Sequence, residues 1–186
     1  RRLRAGSQDR DFKGLSRLLD YRQPIRRFGR LIKTTDAKGN CNTVTYDNLG
    51  RKAATADMDM GKWTYKYDLL GRLVGQTDAK GQTIAMAYDA LGRLIKKTNP
   101  DKTYTYWNYD TYSGYDGTNS LGRLVRIYGT ATGEQPVADV YYFDVYGRAI
   151  KTTKLIDGTS YVTQTAYDNL NRVTASTYPD GSKVYY

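Results

Sequence analysis

The side chains that could do chemistry in this chain are mainly those of aspartate, arginine, lysine and tyrosine, because the sequence has no histidine and a single cysteine, Cys41. Without histidine, the common acid–base, metal and thiol–imidazole sites lack a required member. One cysteine also excludes an intramolecular disulfide, and we interpret its thiol, which lies next to a turn, as incidental. Carboxylates, cations and aromatic rings are therefore the candidates that remain.

A pair of carboxylates could hydrolyse a glycosidic bond, and Asp57, Asp59, Asp78 and Asp101 are available for it. Each of them lies in a turn-like stretch, however, where aspartate is expected to accept backbone hydrogen bonds. The stretch "DMDMG" at 57–61 lacks the closing glutamate of a calcium loop. No Walker loop, dinucleotide fingerprint or nucleophile elbow occurs. We therefore predict no catalytic residues, no metal ligands and no cofactor.

A Gly-Arg pair recurs along the chain, and it is the strongest pattern in the sequence. The first four pairs are 21 residues apart, and the later spacings are 30, 25 and 24 residues. Tyr-Asp precedes several of the pairs, with Phe143-Asp144 as a variant and Asn171-Arg172 as a degenerate pair. The predicted structural residues of this motif are Gly29, Arg30, Tyr46, Asp47, Gly50, Arg51, Tyr67, Asp68, Gly71, Arg72, Tyr88, Asp89, Gly92, Arg93, Gly122, Arg123, Asp144, Gly147, Arg148, Tyr167, Asp168 and Arg172.

One repeat is typical of a β-hairpin. In "RLVGQTDAKGQTIAMAYDALGR", two strand-like runs flank the turn "DAKG", and the turn "DALG" follows the second run. Alternation places Ile84, Met86 and Tyr88 on one face of the second run. Each repeat thus predicts strand, turn, strand and turn.

The composition supports a thin sheet. Only 39% of the 186 residues are apolar, and 19 tyrosines and 18 glycines suit aromatic sheet faces joined by tight turns. We predict an all-β fold in which tandem hairpins form a continuous spiralling antiparallel sheet. A β-propeller is the alternative fold, because two repeats would make a blade of four strands.

The basic charge is concentrated at the start of the chain. Residues 1–30 hold ten basic and three acidic side chains, so they account for +7 of the total net charge of +10. Such a segment could contact nucleic acid, but a solvated arm explains it as well, and we consider nucleic acid an unlikely partner. We predict a basic irregular segment at 1–27 and a repeat array at 28–186, with about seven units, regular over 29–98 and looser over 99–186. No apolar run is long enough to span a membrane.

The stretch "VTYDNLGRKAATADMDMGKWTYKYDLLGRLVGQTDAKGQTIAMAYDALGRLIKKT" resembles the Rhs or YD-repeat family. The resemblance is close from Phe28 to Thr98 and looser to Tyr186. In bacterial Rhs polymorphic toxins, insecticidal Tc toxin complexes and teneurins, such repeats wind a sheet into a hollow shell, and bacterial shells enclose a C-terminal toxin. The family's Asp-Pro cleavage segment is absent, so we assign neither cleavage nor toxicity to this chain.

The resemblance implies a non-catalytic structural segment of a shell that encapsulates and helps deliver a toxin. Its implied partners are neighbouring repeats of a longer polypeptide, the enclosed toxin domain and a delivery component, and its implied location is secreted or at the cell surface. Because the chain starts at Arg1 without a methionine, we expect it to be a fragment.

A cell-surface carbohydrate-binding module is the alternative function. Aromatic rings can stack on sugars, and the candidates for this role are Trp63, Tyr104, Tyr106, Trp107 and Tyr109. The same rings could simply cover a face of the sheet. Choline-binding repeats have a similar period, but they carry tryptophan in nearly every unit, and this chain has only two tryptophans.

Overall fold

The computed structural model describes residues 29–130 and 137–186, and all the regular elements in them are β-strands. The first seven are β1 (Lys33–Thr35), β2 (Cys41–Tyr46), β3 (Lys52–Asp57), β4 (Gly61–Tyr67), β5 (Leu73–Thr77), β6 (Thr83–Tyr88) and β7 (Leu94–Thr98). The others are β8 (Tyr104–Tyr109), β9 (Leu124–Thr130), β10 (Val137–Phe143), β11 (Ala149–Ile156), β12 (Thr159–Tyr167), β13 (Val173–Thr177) and β14 (Lys183–Tyr185). The predicted basic segment 1–27 lies outside the described residues.

The order of the strands in the sheet is their order in the chain, from β1 to β14. Antiparallel hairpins joined by short turns produce this order, because each strand pairs with the one that follows it. The predicted all-β class and the antiparallel hairpin array are therefore confirmed. Among the residues that the structure describes, none forms a helix with the length and apolar character needed to cross a membrane.

The strands belong to two compact units. The first extends to Lys66 and includes the turn Thr77–Gly81, and it pairs β1 with β2, β2 with β3 and β3 with β4. The second comprises Tyr67–Gln76 and Gln82–Tyr186. From β6 to β14, each of its strands pairs antiparallel with the next.

A β-bulge interrupts the register at the motif tyrosine. In the first unit the register shifts between Thr45 and Tyr46, and in the second unit it shifts between Ala87 and Tyr88. The extra residue lies on the following strand, two positions after the motif arginine, as Ala53 and Ile95 do. A bulge adds twist and re-aims the side chains beyond it. Alternation alone therefore places a side chain correctly only up to the motif tyrosine.

The described residues bury few apolar side chains. Only Val125, at 0% exposure, and Ala138, at 3%, are buried hydrophobic residues within 29–130 and 137–186. In β6 the burial alternates, so that Ile84, Met86 and Tyr88 are half-buried and the residues between them are exposed, as the sequence predicts. Backbone pairing between neighbouring strands, together with side chains that cover the sheet, holds this fold instead of a thick core.

Candidate functional site

The repeated turn that follows each motif tyrosine is the most regular cluster of charged side chains in the structure. At Asp89 the backbone N–H donates to the carbonyl of Arg93 at 3.0 Å, and the N–H of Gly92 donates to the carbonyl of Asp89 at 3.0 Å. Gly92 has a φ of +83°, which favours glycine because no Cβ clashes there. The sequence folds into this turn locally, before any distant contact is needed.

The aspartate carboxylate completes the turn. Oδ1 of Asp89 accepts the N–H groups of Leu91 at 2.9 Å and Arg93 at 2.8 Å, and Oδ2 accepts Nε of Arg93 at 2.6 Å. The same three hydrogen bonds recur at Asp68, Asp144 and Asp168 and, in the first unit, at Asp47. One carboxylate thus satisfies two backbone donors and one guanidinium in each turn.

These bonds set the protonation of the aspartates. Partial desolvation acts to raise the pKa of the Asp89 carboxyl, but the hydrogen bonds from the side chain and backbone of Arg93 outweigh it, so the pKa lies below its ordinary value. At Asp168 the backbone and side-chain hydrogen bonds of Arg172 are the main causes that lower the pKa. The turn carboxylates are therefore ionised at neutral pH and do not act as general acids.

The arginine of one turn also contacts the next turn along the chain. In the second unit, Nη1 of Arg72 donates to the carbonyl of Asp89 at 3.0 Å, and its guanidinium lies 5.0 Å from the ring centroid of Tyr88. The hydroxyl of Tyr88 donates back to the carbonyl of Leu73 at 2.8 Å. The tyrosine, aspartate and arginine of the motif therefore form a link between consecutive repeats.

The link recurs further along the second unit. Nη1 of Arg148 donates to the carbonyl of Asp168 at 2.9 Å, and its guanidinium lies 4.8 Å from the ring centroid of Tyr167. The degenerate pair keeps the left-handed position of glycine, because Asn171 has a φ of +63° and its side-chain oxygen accepts Nη1 of Arg148 at 2.9 Å. Asparagine tolerates this conformation better than other residues with a Cβ. In the first unit, Arg30 lies 5.7 Å from the ring of Tyr46.

The motif glycine leaves space for the arginine of the preceding repeat. A Cβ built on Gly147 would collide with the guanidinium of Arg123, and a Cβ on Gly50 would collide with that of Arg30. At Gly92 the nearest atom of Arg72 would be 3.8 Å away, which is ordinary contact. Glycine therefore serves two purposes in this turn, since it adopts positive φ and allows close approach of the arginine.

The turn from Asp110 to Arg123 contains ten additional residues. The N–H of Asp110 still donates to the carbonyl of Arg123 at 2.9 Å, so the turn closes as the others do. The Asp110 carboxylate, however, accepts Nη2 of Arg93 at 2.9 Å and the N–H of Gly122. Nε of Arg123 donates instead to the carbonyl of Asn119 at 3.2 Å. We call residues 111–120 the inserted loop.

The inserted loop folds onto the sheet of the second unit. The hydroxyl of Tyr115 donates to the carbonyl of Tyr141 at 2.8 Å, and its ring stacks on Tyr142 with centroids 5.4 Å apart. The guanidinium of Arg126 lies between two rings, 4.8 Å from the centroid of Tyr112 and 4.3 Å from that of Tyr128. The longer spacing of the Gly-Arg pairs indicates this loop, but the sequence does not show which strands it covers.

The five candidate sugar-stacking rings do not form one platform. Trp63 belongs to the first unit, and its indole N–H donates to the carbonyl of Met60 at 3.2 Å. Tyr104 and Tyr106 share a face of β8 with ring centroids 6.0 Å apart, whereas Trp107 alternates to the other face. The ring of Tyr109 lies under the guanidinium of Arg93 at 4.4 Å.

Tyr106 has a further partner that the sequence does not indicate. Its ring stacks on Tyr128 of β9 with centroids 4.9 Å apart, because the two residues are directly opposite each other in the register. The ammonium of Lys96 lies 5.1 Å from the same ring. Intramolecular stacking thus occupies part of the surface that a sugar would use.

The other carboxylates act in turns. Oδ1 of Asp57 accepts the N–H groups of Asp59 and Met60, each at 2.9 Å, and Oδ1 of Asp101 accepts the N–H of Thr103 at 3.0 Å. Within residues 29–130 and 137–186, no group of three or more histidine, cysteine, aspartate or glutamate residues could hold a metal ion. The arrangement of charges in these turns is suited to holding backbone in place.

Comparison with known proteins identifies the repeated motif. Residues 67–104 match the family model described as RHS Repeat. This chain carries RHS repeats. The matched residues run from the motif tyrosine that begins the turn Asp68–Arg72 to the start of β8, so they include the linked turns around Asp68 and Asp89. No curated protein matches the sequence.

Solved structures show where this fold also occurs. The chain is similar to part of the crystal structure of TcdB2-TccC3-Cdc42, with a TM-score of 0.65 and 15% sequence identity over 82% of this chain and 9% of that chain. The Tc holotoxin pore of Photorhabdus luminescens gives a TM-score of 0.49 and 14% identity over 82% of this chain and 10% of the other. The RHS-repeat chain thus spans about a tenth of the length of these chains. The first similarity shows a shared fold.

Proposed function

We propose that this RHS-repeat chain is a non-catalytic segment of a hollow shell, and that the shell encapsulates a C-terminal toxin and helps deliver it. The observation that carries the proposal is the link in which one arginine closes its own turn and contacts the next, as Arg72 does with Asp68 and Asp89. Such a link joins each repeat to its neighbour. A structure of this kind extends by adding repeats.

The scarcity of buried apolar residues supports a wall in preference to a globular domain. Val125 and Ala138 are the only buried hydrophobic residues among those described, although 39% of the sequence is apolar. A globular enzyme of this size would bury many more, because most of its stability comes from a core. A continuous wall obtains stability from strand pairing and from links between neighbours, and it leaves room for a passenger on one side.

The absence of catalysis is part of the proposal. The turn aspartates hold backbone N–H groups and guanidinium groups, and their pKa values lie below the ordinary range, which suits a structural anion. The partners that we propose are neighbouring RHS repeats of a longer polypeptide, the enclosed toxin domain and a delivery component. The Tc complex with a similar fold supports this context and a secreted or cell-surface location.

Electron microscopy of the full-length parent, expressed from the complete reading frame, tests the proposal. We expect a closed hollow shell with internal density, and we expect limited proteolysis to spare the internal domain until the shell is opened. An open rod, a propeller or a domain that is cleaved at once would contradict encapsulation. As a matched control, a parent in which the toxin region is deleted should give the same shell without internal density.

Carbohydrate binding is the second candidate, and one cavity favours it. Tyr106, Trp107 and Tyr109 border a cavity of about 380 Å³ together with Asp89 and Asn108, so rings and polar groups meet there. We expect a carbohydrate ligand to quench the tryptophan fluorescence in a saturable way, and Trp107→Phe to remove most of the change. A flat titration with a panel of oligosaccharides would eliminate this candidate.

A further inference from the structure

A cleft in the second unit lies beside the inserted loop, and the motif residues contribute little to it. The cleft has a volume of about 580 Å³, and its lining includes Asp116 and Thr118 of the loop and residues of β10 to β14. A volume of this size is typical of a ligand site. Because the inserted loop occurs in one turn, this cleft is a local departure from a repetitive surface, and insertions in repeat proteins commonly form binding surfaces.

The floor of the cleft is a row of side chains that face each other across five strands. Tyr142 of β10 is directly opposite Lys151 of β11, Lys151 is opposite Gln164 of β12, Gln164 is opposite Thr177 of β13, and Thr177 is opposite Lys183 of β14. Residues directly opposite each other in antiparallel strands lie on the same face. All five border the cleft. We call them the cross-strand row.

The charges of the cross-strand row are positive and separated. Neither Lys151 nor Lys183 forms an ion pair with a described carboxylate. Lys151 and Lys183 are three strand positions apart, which places their backbones roughly 14 Å from each other at ~4.8 Å per strand. Gln164 and Thr177 lie between them and offer a carboxamide and a hydroxyl as hydrogen-bond partners.

The end of the cleft at Tyr142 is rigid and neutral. The ammonium of Lys151 lies 3.6 Å from the ring centroid of Tyr142, and the other side of the ring is stacked on Tyr115. Nδ2 of Asn119 donates to the carbonyl of Phe143 at 3.4 Å, which fixes the loop to the same strand. Desolvation, and then the nearby Asp116 carboxylate, raises the pKa of Tyr142 to about 12. The phenol therefore carries no charge at neutral pH.

We propose that the cross-strand row binds an acidic polypeptide segment that runs across the strands, with two carboxylates four residues apart reaching Lys151 and Lys183. An extended peptide advances by ~3.3 Å per residue, so residues i and i+4 are about 13 Å apart, close to the separation of the two lysines. Side chains i, i+2 and i+4 of such a peptide project to one side. The middle one therefore faces Gln164 and Thr177. This inference does not depend on encapsulation, since the cleft lies within one unit.

Fluorescence anisotropy with the full chain tests this inference. The probe is a labelled peptide whose centre reads Glu-Ser-Thr-Ser-Glu, and its two comparison peptides carry glutamine in place of glutamate or have the glutamates three residues apart. We expect the first peptide to bind at least tenfold more tightly than either comparison peptide at low salt. We also expect its affinity to fall as salt is added, because paired charges are screened. Equal binding of the three peptides would overturn the inference.

Paired substitutions locate the site. Lys151→Gln with Lys183→Gln should weaken binding of the acidic peptide at least tenfold, whereas Lys62→Gln with Lys66→Gln removes the same charge from exposed positions of β4 and should change it less than twofold. Equal effects of the two pairs would overturn the inference. If the first pair reduces folding, Lys183→Gln alone keeps the Lys151–Tyr142 contact and should still weaken binding several-fold; no change would count against the site.

A competition experiment separates the polypeptide from another carboxylated ligand. An oligosaccharide of uronic acids has carboxylates without a peptide backbone. We expect it to displace the labelled peptide only at much higher concentration than an unlabelled copy of the peptide. Tighter binding of the oligosaccharide than of the peptide would overturn the polypeptide as the occupant.

Discussion

The turn from Asp89 to Arg93 and the turn from Asp110 to Arg123 are closed by the same backbone hydrogen bond, at 3.0 Å and 2.9 Å respectively, although the second contains ten additional residues. They differ in the partner of the aspartate carboxylate. Asp89 holds the arginine of its own turn, whereas Asp110 holds Arg93 of the preceding turn. The closing bond tolerates insertion, and the carboxylate then adds to the link between repeats.

The comparison also separates two uses of the same motif. The regular turn contributes only to the repeated structure, while the inserted loop covers a neighbouring strand through Tyr115 and borders a cleft through Asp116 and Thr118. A repeat array can therefore acquire a local binding surface without losing its register.

Removing the inserted loop should have the largest effect. Replacing residues 111–120 with one alanine gives this turn the sequence of the Tyr88–Arg93 stretch. We expect a folded β-protein that is destabilised by about 3 kcal/mol, because the Tyr115–Tyr142 stack, the Arg126–Tyr112 contact and the hydroxyl bond of Tyr115 are lost. Urea unfolding and far-UV circular dichroism measure this. Loss of all β-structure would show that the loop is needed for folding.

Gly147→Ala and Gly122→Ala form the next pair. Both glycines have nearly the same φ, +77° and +76°, but only a Cβ at Gly147 meets a guanidinium, that of Arg123. We expect a cost of about 1 kcal/mol at Gly122 from backbone strain and about 2 kcal/mol at Gly147, where the arginine must also move. The free energies of unfolding of the two variants provide the measurement. Equal costs would mean that the arginine moves freely.

Tyr115→Phe tests the anchor of the loop alone. It removes the hydroxyl that donates to Tyr141 at 2.8 Å and keeps the ring that stacks on Tyr142. We expect a loss of about 1 kcal/mol, the net value of one hydrogen bond, since the Tyr141 carbonyl also loses its donor. Tyr161→Phe is the matched control at a ring that is 43% exposed, and it should change the unfolding free energy very little.

Acid should reveal the smallest difference. The pKa of Asp110 is lowered, first by the side chain of Arg93 and then by the N–H of Gly122, and the pKa of Asp89 is lowered as well. A depressed folded pKa gives stability that is present above the ordinary carboxyl pKa of about 4 and is lost as the pH falls through the folded pKa. We therefore expect the thermal midpoint to fall below about pH 4.

Substitution of the shared arginine sharpens this expectation. Arg93→Gln removes a partner from both Asp89 and Asp110, whereas Arg172→Gln removes one partner from Asp168 at a side chain that is 73% exposed. The acid transition should move to higher pH by more for Arg93→Gln than for Arg172→Gln. Carboxyl titration by NMR checks the two aspartates directly. An identical shift in both variants would show that the shared contact has no additional effect.

Much of the regular turn could be predicted from the sequence, because its interactions are local. The hairpin character, the positions of the turns and the alternation in β6 follow from residues within a few positions of one another. The links between turns were not predicted. The spacing of 21 residues shows that Arg72 and Tyr88 recur, but only strand pairing brings the guanidinium to the ring.

The sequence alone determined that this protein is a repetitive all-β chain, since the tyrosine, aspartate, glycine and arginine of each repeat define a turn through short-range hydrogen bonds and positive φ. The tertiary structure decided which residues of different repeats meet. The bulge after the motif arginine, the stacking of Tyr106 on Tyr128 and the row from Tyr142 to Lys183 all depend on register between strands. Register is a property of pairs of strands, and a periodic sequence does not specify it for the one turn that breaks the period.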